Sequence, residues 1–257
     1  MIYLMNYENW GDYDEAPHIT NINKDELENL LNTKYSNFKT SNNTLHRCVA
    51  NIKHHTNINI LDPTKITRIS PWASGNLHNL ILSNSPLWSK FPKRNKSIIF
   101  DFNYSTHGGY HYILIPENNA ILGVCPVSDM WGAFPSCLNY FFNTEIYNIL
   151  QTNCNNFNFD NDYEILMECI NNIDIKNITY SDHRIYSTFI KPYKTLSEAI
   201  DNFINPKKNN FKTIKYTKNF NLKTKSSLEG WTESNCILVK QSVLEELGYN
   251  FEEIVNW

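Results

Sequence analysis

The stretch SIIFDFNYSTHGGYHYILIPENNAILGVC, residues 97–125, contains three short apolar and aromatic runs separated by turn residues. The runs cover residues 97–103, 110–116 and 120–125. Ile, Val, Phe and Tyr favour strands, and Gly108-Gly109 supplies the permissive backbone that a tight connection needs. The pattern therefore predicts three successive strands in an antiparallel meander.

Segments on both sides of this stretch carry apolar residues at helical or strand spacing. Helices are predicted over residues 24–31, 42–55, 75–84, 195–204 and 241–248. Further strands are predicted over residues 65–70, 183–190, 211–217 and 235–240. These elements predict an α+β fold in a single domain of 257 residues. Its expected parts are a helical N-terminal part (1–60), a β-rich core (61–130 and 206–257) and a mostly helical insertion (131–205).

The composition narrows the class of protein. A chain that is 41% hydrophobic and 14% aromatic is too apolar for intrinsic disorder, and a net charge of −3 gives no overall attraction to nucleic acid or membrane. No apolar run approaches the roughly 20 residues of a membrane span, and the first 14 residues are too polar for a signal peptide. Six cysteines without a C-x-x-C pair favour reduced thiols, so a cytoplasmic protein is expected.

Three polar residues lie in or beside predicted strands and are candidates for a site. Arg68 could bind a phosphate through its planar guanidinium, or form a salt bridge at a sheet edge. Ser97 follows three cations, including Arg94, and could orient a ribose or simply begin a strand. Glu229 precedes a hydrophobic strand and could stabilise positive charge on a sugar, or lie in a solvated turn.

In chain order, Arg68 in TRIS, Ser97 in KRNKSIIF and Glu229 in SLEGWTE resemble the arginine–serine–glutamate arrangement of ADP-ribosyltransferases. The segment YHYILIPENNAILGV is similar to that family's central strand–proline–turn–strand passage, and the resemblance covers residues 60 to 240. It implies two packed, mainly antiparallel sheets that form a cleft for NAD, which is consumed as a substrate. Several members of this family are toxins, so the resemblance also fits a host–pathogen or phage protein acting in a host cytoplasm.

The resemblance also implies a role for each matching residue. Arg68 would bind the NAD phosphates, with Ser70 and Arg94 as further cofactor-binding candidates. Ser97 would support the nicotinamide ribose and the glutamate. Glu229 would stabilise the oxocarbenium-like ribose as nicotinamide leaves. No metal site is expected.

The sequence departs from the family pattern at two places. Ser97 is followed by two isoleucines, where the family has a Ser-Thr-Ser triplet. Position 227 is serine, where arginine-modifying members carry Glu or Gln two residues before the catalytic glutamate. The second departure argues against an arginine acceptor and leaves Glu233 and Asp129 as alternative catalytic acids.

A basic stretch from Lys207 to Lys225 contains seven lysines and no acidic residue. Phe211, Tyr216 and Phe220 are interleaved with these lysines. Cations mixed with aromatic rings suit phosphate contacts and base stacking, so nucleic acid or a nucleic-acid-associated protein is the expected acceptor. A basic hairpin on the surface is the alternative.

Two other functions remain open from the sequence. A non-enzymatic viral or bacterial binding protein would use the basic stretch for contact and keep Arg68 and Glu229 as structural residues. A papain-like thiol hydrolase would pair Cys48, on a helix, with His111, on a strand.

Overall fold

The computed structural model shows one sheet that runs through the whole described part of the chain. Residues 19–49, 56–65, 73–104, 109–134, 147–154, 163–177, 190–222 and 227–251 are described. The strands are β1 (Ile19–Asn21), β2 (Leu45–Val49), β3 (Ile58–Leu61), β4 (Ile98–Asp101), β5 (Tyr110–Pro116), β6 (Ile121–Val124), β7 (Lys212–Lys215), β8 (Glu229–Thr232) and β9 (Cys236–Val239). They form a nine-stranded sheet in the order β1-β3-β9-β5-β2-β4-β8-β6-β7, and each neighbouring pair is antiparallel.

Helices lie between these strands along the chain. They are α1 (Lys24–Asn32), α2 (Ala73–Asn84), α3 (Met130–Ala133), α4 (Tyr147–Asn153), α5 (Tyr163–Asn172), α6 (Leu196–Ile204) and α7 (Gln241–Glu246). Helix α1 begins at a capping box, because the Asn23 side chain accepts from the Glu26 N–H and the Glu26 carboxylate accepts from the Asn23 N–H, both at 2.9 Å. Within the described residues, no helix is long and apolar enough to cross a membrane.

The α+β class with a large antiparallel sheet is confirmed, whereas two packed sheets are not. The three strands within residues 97–125 are also confirmed, but the meander is wrong because none of them pairs with another. Strand β4 lies between β2 and β8, β5 between β9 and β2, and β6 between β8 and β7. Strands from distant parts of the chain are therefore inserted between these neighbours in sequence.

The predicted helix over residues 42–55 is wrong, because residues 45–49 form strand β2 at the centre of the sheet. Residues 19–61 thus contain three strands as well as α1, so the N-terminal part is not only helical. The predicted strand at 65–70 lies outside the described residues apart from Lys65, as does the strand at 183–190 apart from Ile190.

One face of the sheet is covered by helices in two separate areas. Helices α1 and α7 cover the apolar side chains of β3, β5 and β9, such as Ile113 and Ile237. Helices α2, α4, α5 and α6 cover Trp231 of β8, with Ile99 of β4 packed against the same cluster. Directly opposite residues on paired strands share a face, so His46, Cys48, Asp101 and His111 lie on this face between the two areas.

The opposite face carries its own buried cluster, with buried side chains from β2, β3, β4, β5, β6 and β9. Its members include Leu45, Phe100, Leu122 and Leu238. Among the described residues, no helix contributes to this cluster. Tyr216 and Phe220, in the segment after β7, belong to it. Burial of such a long sheet face against its own strands and one loop indicates that the sheet curves around the cluster.

A disulfide joins Cys154, at the end of α4, to Cys169 of α5, with 6.0 Å between the Cα atoms. The prediction of reduced thiols is therefore wrong for these two cysteines. The thiols of Cys125 and Cys236 are buried, whereas the Cys48 thiol is partly exposed.

Candidate functional site

Arg94 and Glu229 form a buried ion pair beside the sheet. Arg94 Nη1 lies 2.6 Å from Glu229 Oε1, and each side chain is only 10% exposed. The Met130 N–H donates to the other carboxylate oxygen, Oε2, at 3.3 Å. Neither Nη1 nor Oε1 has a well-aligned hydrogen bond, so their contact is an ion pair. Nη1 can therefore still donate a hydrogen bond, and Oε1 can still accept one.

The turn that carries Arg94 is fixed at both of its ends. Before it, the Trp231 indole N–H donates to the Pro92 carbonyl at 2.9 Å. After it, the Ser97 hydroxyl donates to the Lys93 carbonyl at 2.7 Å. Residues 94–96 form a short 3-10 turn, so these two hydrogen bonds aim the Arg94 side chain at β8. Ser97 is 1% exposed, and its hydroxyl is used to close the turn.

The Trp231 ring packs against the Arg94 guanidinium of this ion pair. It is fully buried, and the guanidinium carbon of Arg94 lies 5.8 Å from the ring centroid, a cation–π distance. A Cβ built on Gly123 of β6 would lie 2.2 Å from the Trp231 ring, so only glycine lets the ring lie against that strand. The Phe91 ring stacks on the Trp231 ring, with 6.1 Å between ring centroids and 16° between planes.

Burial controls the ionisation of the groups around the ion pair. His78 of α2 is fully enclosed, and burial, with the positive charge of Arg94 as a smaller cause, lowers its pKa to about 3. Burial also raises the pKa of the Cys125 thiol to about 12. Both groups are therefore neutral at pH 7.

A row of titratable side chains crosses the central strands at the level of Glu229. In the strand register, Glu229 of β8 is opposite Asp101 of β4, and Asp101 is opposite His46 of β2. His46 is 7% exposed, and burial, with the charge of His111 as a second cause, lowers its pKa to about 4. The row places two carboxylates and a neutral imidazole side by side on one face.

Cys48 and His111 lie directly opposite each other on β2 and β5. The ring of Tyr104 stacks on His111, with 4.5 Å between centroids. Burial is the main cause that raises the pKa of the Cys48 thiol, and the negative charge of Asp101 is the second. The positive charge of Arg47 partly offsets this increase. The structure therefore brings this cysteine and histidine together, on two strands rather than a helix and a strand, but keeps the thiol protonated at pH 7.

The other predicted site residues are placed differently. Arg68 and Ser70 lie outside the described residues. Glu233 and Asp129 are both exposed, so Glu229 is the enclosed carboxylate among the three candidate acids. Asp129 immediately precedes Met130, whose N–H contacts Glu229.

The basic stretch is only partly as predicted. Its described lysines are all exposed, namely Lys207, Lys208, Lys212, Lys215 and Lys218. Phe211, Tyr216 and Phe220 are instead 6%, 1% and 4% exposed, because they pack into the two hydrophobic clusters. The aromatic rings are therefore core residues and are unavailable for base stacking.

Sequence reasoning missed Asp101 and His46 as members of the site. Both stand in short strands beside apolar residues, where a polar residue is common on a solvated sheet face. Only the strand pairing places them beside Glu229. Within the described part of the chain, no group of three His, Cys, Asp or Glu side chains could hold a metal ion.

Comparisons of this chain with protein-family models, with curated proteins and with solved structures found no match.

Proposed function

We propose that the protein is an NAD-dependent ADP-ribosyltransferase that cleaves the nicotinamide–ribose bond and transfers ADP-ribose to a macromolecule. The observation that carries this proposal is the buried Arg94–Glu229 pair. It joins a cationic turn before β4 to a carboxylate at the start of β8, two segments that the sequence resemblance assigns to one nucleotide site.

Glu229 has the properties that stabilisation of an oxocarbenium ion requires. When the bond from ribose C1′ to nicotinamide breaks, positive charge develops on the ribose. A fixed carboxylate in an enclosed, low-dielectric site stabilises that charge more than one in water would. The incompletely hydrogen-bonded Oε1 can also accept a hydrogen bond from a ribose hydroxyl.

Arg94 is suited to hold a phosphate as well as the carboxylate. A guanidinium has five N–H donors, and the contact with Glu229 uses one of its terminal nitrogens. We assign Arg94 to the NAD phosphates, together with Arg68 and Ser70 as the resemblance implies. Ser97 acts on the ribose and on Glu229 through the turn that it closes.

The NAD cleft is proposed on the sheet face between the two helical areas. Because the sheet curves around its other face, its strands would form two halves on either side of the bend. These halves would correspond to the two packed sheets that the resemblance implies. The polar row from His46 to Glu229 would line this cleft. The proposed place of action is the cytoplasm, of the producing cell or of a host.

The acceptor is proposed to be acidic, either nucleic acid or a nucleic-acid-associated protein. The exposed lysines of residues 207–218 lie on and around β7, which is two strands away from β8 in the sheet. Lysines at these positions can contact phosphates, whereas the buried rings cannot stack on bases. Lysine on an edge strand also limits edge-to-edge association, which explains Lys212 and Lys215 without any partner.

The proposal is tested by nicotinamide release from NAD, with Glu229→Gln and Arg94→Lys beside the unaltered protein. We expect the near-isosteric Glu229→Gln to lose at least a hundredfold in rate, since it keeps the hydrogen bonds but not the charge. Glu233→Gln, on an exposed carboxylate of the following loop, and Lys93→Ala, next to Arg94, are the matched controls. Absence of both nicotinamide release and NAD binding would refute the proposal.

The acceptor is tested separately with Lys207→Ala, Lys208→Ala and Lys218→Ala combined. We expect slower ADP-ribose transfer to RNA, DNA or lysate protein, with unchanged NAD hydrolysis. The control variant carries Lys34→Ala and Lys39→Ala, two exposed lysines near α1. An equal loss of transfer and hydrolysis in the triple variant would contradict a separate acceptor surface.

Thiol hydrolysis is a second candidate, favoured only by the direct opposition of Cys48 and His111. The protonated thiol would need His111 to remove its proton as it attacks a carbonyl. Cys48→Ala should then abolish ester or amide hydrolysis while leaving nicotinamide release unchanged. Unchanged hydrolysis in this variant would exclude the thiol.

A further inference from the structure

Tyr104, which follows β4, presents an exposed aromatic ring beside the row of titratable side chains from His46 to Glu229. Of the aromatic side chains that the structure describes, two are exposed, Tyr104 at 39% and Tyr110 at 45%. Tyr110 precedes His111 on β5, and successive residues of a strand point to opposite faces of the sheet. Because Tyr104 stacks on His111, it is the exposed ring on the face of Glu229.

Two histidines of neighbouring strands hold the Tyr104 ring in place. The ring stacks on His111 with 4.5 Å between centroids and 25° between planes. His46 packs against it at nearly a right angle, with 6.0 Å between centroids and 79° between planes. Since His111 covers one face of the ring, a flat ligand would stack on the other. A ring that is already held in this way loses little conformational freedom when a ligand binds.

The position of Tyr104 suits the adenine end of a dinucleotide whose reacting ribose lies at Glu229. Strand β5, which carries His111, is three strands away from β8 in the sheet. Neighbouring strands lie about 4.8 Å apart, so His111 and the ring stacked on it are roughly 14 Å from the strand of Glu229. In NAD, a pyrophosphate and a second ribose separate the adenine from the reacting ribose, and they span a distance of this order.

We propose that Tyr104 binds the adenine ring of NAD by stacking, on the face of the tyrosine ring opposite His111. This inference rests on the proposed function and adds an adenine subsite to it. The nicotinamide ribose lies at Glu229, the pyrophosphate at Arg94 and the adenine at Tyr104. The dinucleotide thus extends across the central strands from β8 towards β5.

The arrangement of the strands favours the adenine of NAD over a base of the acceptor. The exposed lysines of residues 207–218, which are proposed to contact the acceptor, lie on and around β7. Strand β7 is two strands from β8 on one side, whereas β5 is three strands from β8 on the other. An acceptor base would therefore have to cross the proposed NAD cleft to reach Tyr104. Adenine at Tyr104 leaves the side of β7 to the acceptor.

The test compares a substrate that contains adenine with one that lacks it. Nicotinamide release from NAD and from nicotinamide mononucleotide, with water as acceptor, is measured for the unaltered protein, Tyr104→Ala and Tyr104→Phe. We expect Tyr104→Ala to raise the KM for NAD about 5- to 150-fold, the range given by loss of one stacked base. The kcat for NAD and the cleavage of the mononucleotide should not change, because the ring contributes binding alone.

Two further variants are the controls. Tyr104→Phe keeps the aromatic ring, so it should keep the KM of the unaltered protein. Tyr110→Ala removes an exposed tyrosine from the opposite sheet face and should leave both substrates unaffected. ADP binding, measured by calorimetry on the same variants, gives a readout without catalysis, and Tyr104→Ala should weaken it by the same factor as it raises the KM.

The outcomes separate this inference from the proposed function. Unchanged KM for NAD and unchanged ADP binding in Tyr104→Ala would overturn the inference alone, and slower transfer to RNA in that variant would assign the ring to an acceptor base. An equal loss with NAD and with the mononucleotide would show a structural role and overturn it as well. ADP binding that depends on Tyr104, without nicotinamide release, would refute the proposed function and leave the adenine site. If the unaltered protein neither binds ADP nor releases nicotinamide, both fail.

Discussion

At the scale of single residues, Trp231 determines how the candidate site is built. Its ring lies on Gly123, its N–H holds the Pro92 carbonyl, and its face supports Arg94. Three different properties of one side chain thus position the ion pair: its size, its single donor and its π-system. A smaller aromatic residue would not keep all three.

Gly123→Ala should destabilise the protein, because the new methyl group would lie 2.2 Å from the Trp231 ring. Overpacking of this kind costs about 1–3 kcal/mol in free energy of unfolding. Urea unfolding followed by tryptophan fluorescence measures the change. Gly132→Ala is the control, since its Cβ would have 3.9 Å to the nearest atom. Equal unfolding midpoints for the two variants would contradict the packing of Trp231 on β6.

Ser97→Ala should lower the free energy of unfolding by about 1–2 kcal/mol, because the Lys93 carbonyl loses its donor in a site that is 1% exposed. Thermal unfolding measures this, with Ser89→Ala on an exposed serine of the preceding loop as the control. If Ser97→Ala is as stable as the control, the hydroxyl does not hold the turn.

Part of the candidate site could be predicted from the sequence, because some residue types reveal their chemistry locally. Arg94, Ser97 and Glu229 stand out as polar residues at the starts of hydrophobic strands. Their contact could not be predicted, since it depends on the pairing of β4 with β8 across a long stretch of chain. Asp101 has no local signal at all.

At the scale of elements, strands β4, β5, β6, β7 and β9 were predicted, whereas β1, β3 and β8 were not, and the pairing of the strands was not predicted. Short apolar and aromatic runs identify β4, β5 and β6, but the choice of partner depends on strands far away in the chain. Strand β2 was mistaken for a helix because Arg47 occupies a core-facing position, where an apolar residue would have completed the alternation. Its guanidinium donates to the Ile99 carbonyl at 2.7 Å, which makes a cation acceptable there.

Removal of the Cys154–Cys169 disulfide should destabilise the helical cover formed by α4 and α5. For a sequence separation of 15 residues the chain-entropy estimate is about 3 kcal/mol. The measurement is the urea midpoint of the unaltered protein and of the double variant Cys154→Ser, Cys169→Ser, with and without a reducing agent. The reductant should lower the midpoint only where both cysteines are present. Equal midpoints under all four conditions would contradict a stabilising disulfide.

At the scale of the whole molecule, helices cover two separate areas of one sheet face. The row of titratable side chains from His46 to Glu229 lies between these areas. His78 of α2 is buried within one of these helical areas, His46 is a buried member of the row, and both imidazoles are neutral in the folded protein. Neutral buried histidines connect the stability of the whole fold to pH, because the unfolded chain can protonate them freely.

Stability should therefore fall as the pH is lowered from about 6.5. The folded-state pKa values, about 4 for His46 and about 3 for His78, lie below the unfolded value, so the unfolded state binds more protons in this window. Each histidine contributes a slope of up to about 1.4 kcal/mol per pH unit. Urea unfolding between pH 4.5 and 7.5 measures the slope, and His46→Gln or His78→Gln should each reduce it. Slopes that stay the same in both variants would contradict neutral burial.

The order of strands also has a consequence for how the chain folds during its synthesis. Strand β9 lies between β3 and β5, and β8 lies between β4 and β6, although both are translated after all four neighbours. Until the ribosome has released residues 229–239, the other described strands can form three separate groups, and the four edges that β8 and β9 later cover, those of β3, β5, β4 and β6, stay open. Such edges pair readily with other chains, and long-range pairings form slowly. The nascent protein is therefore a natural client for chaperones until its last two strands are inserted.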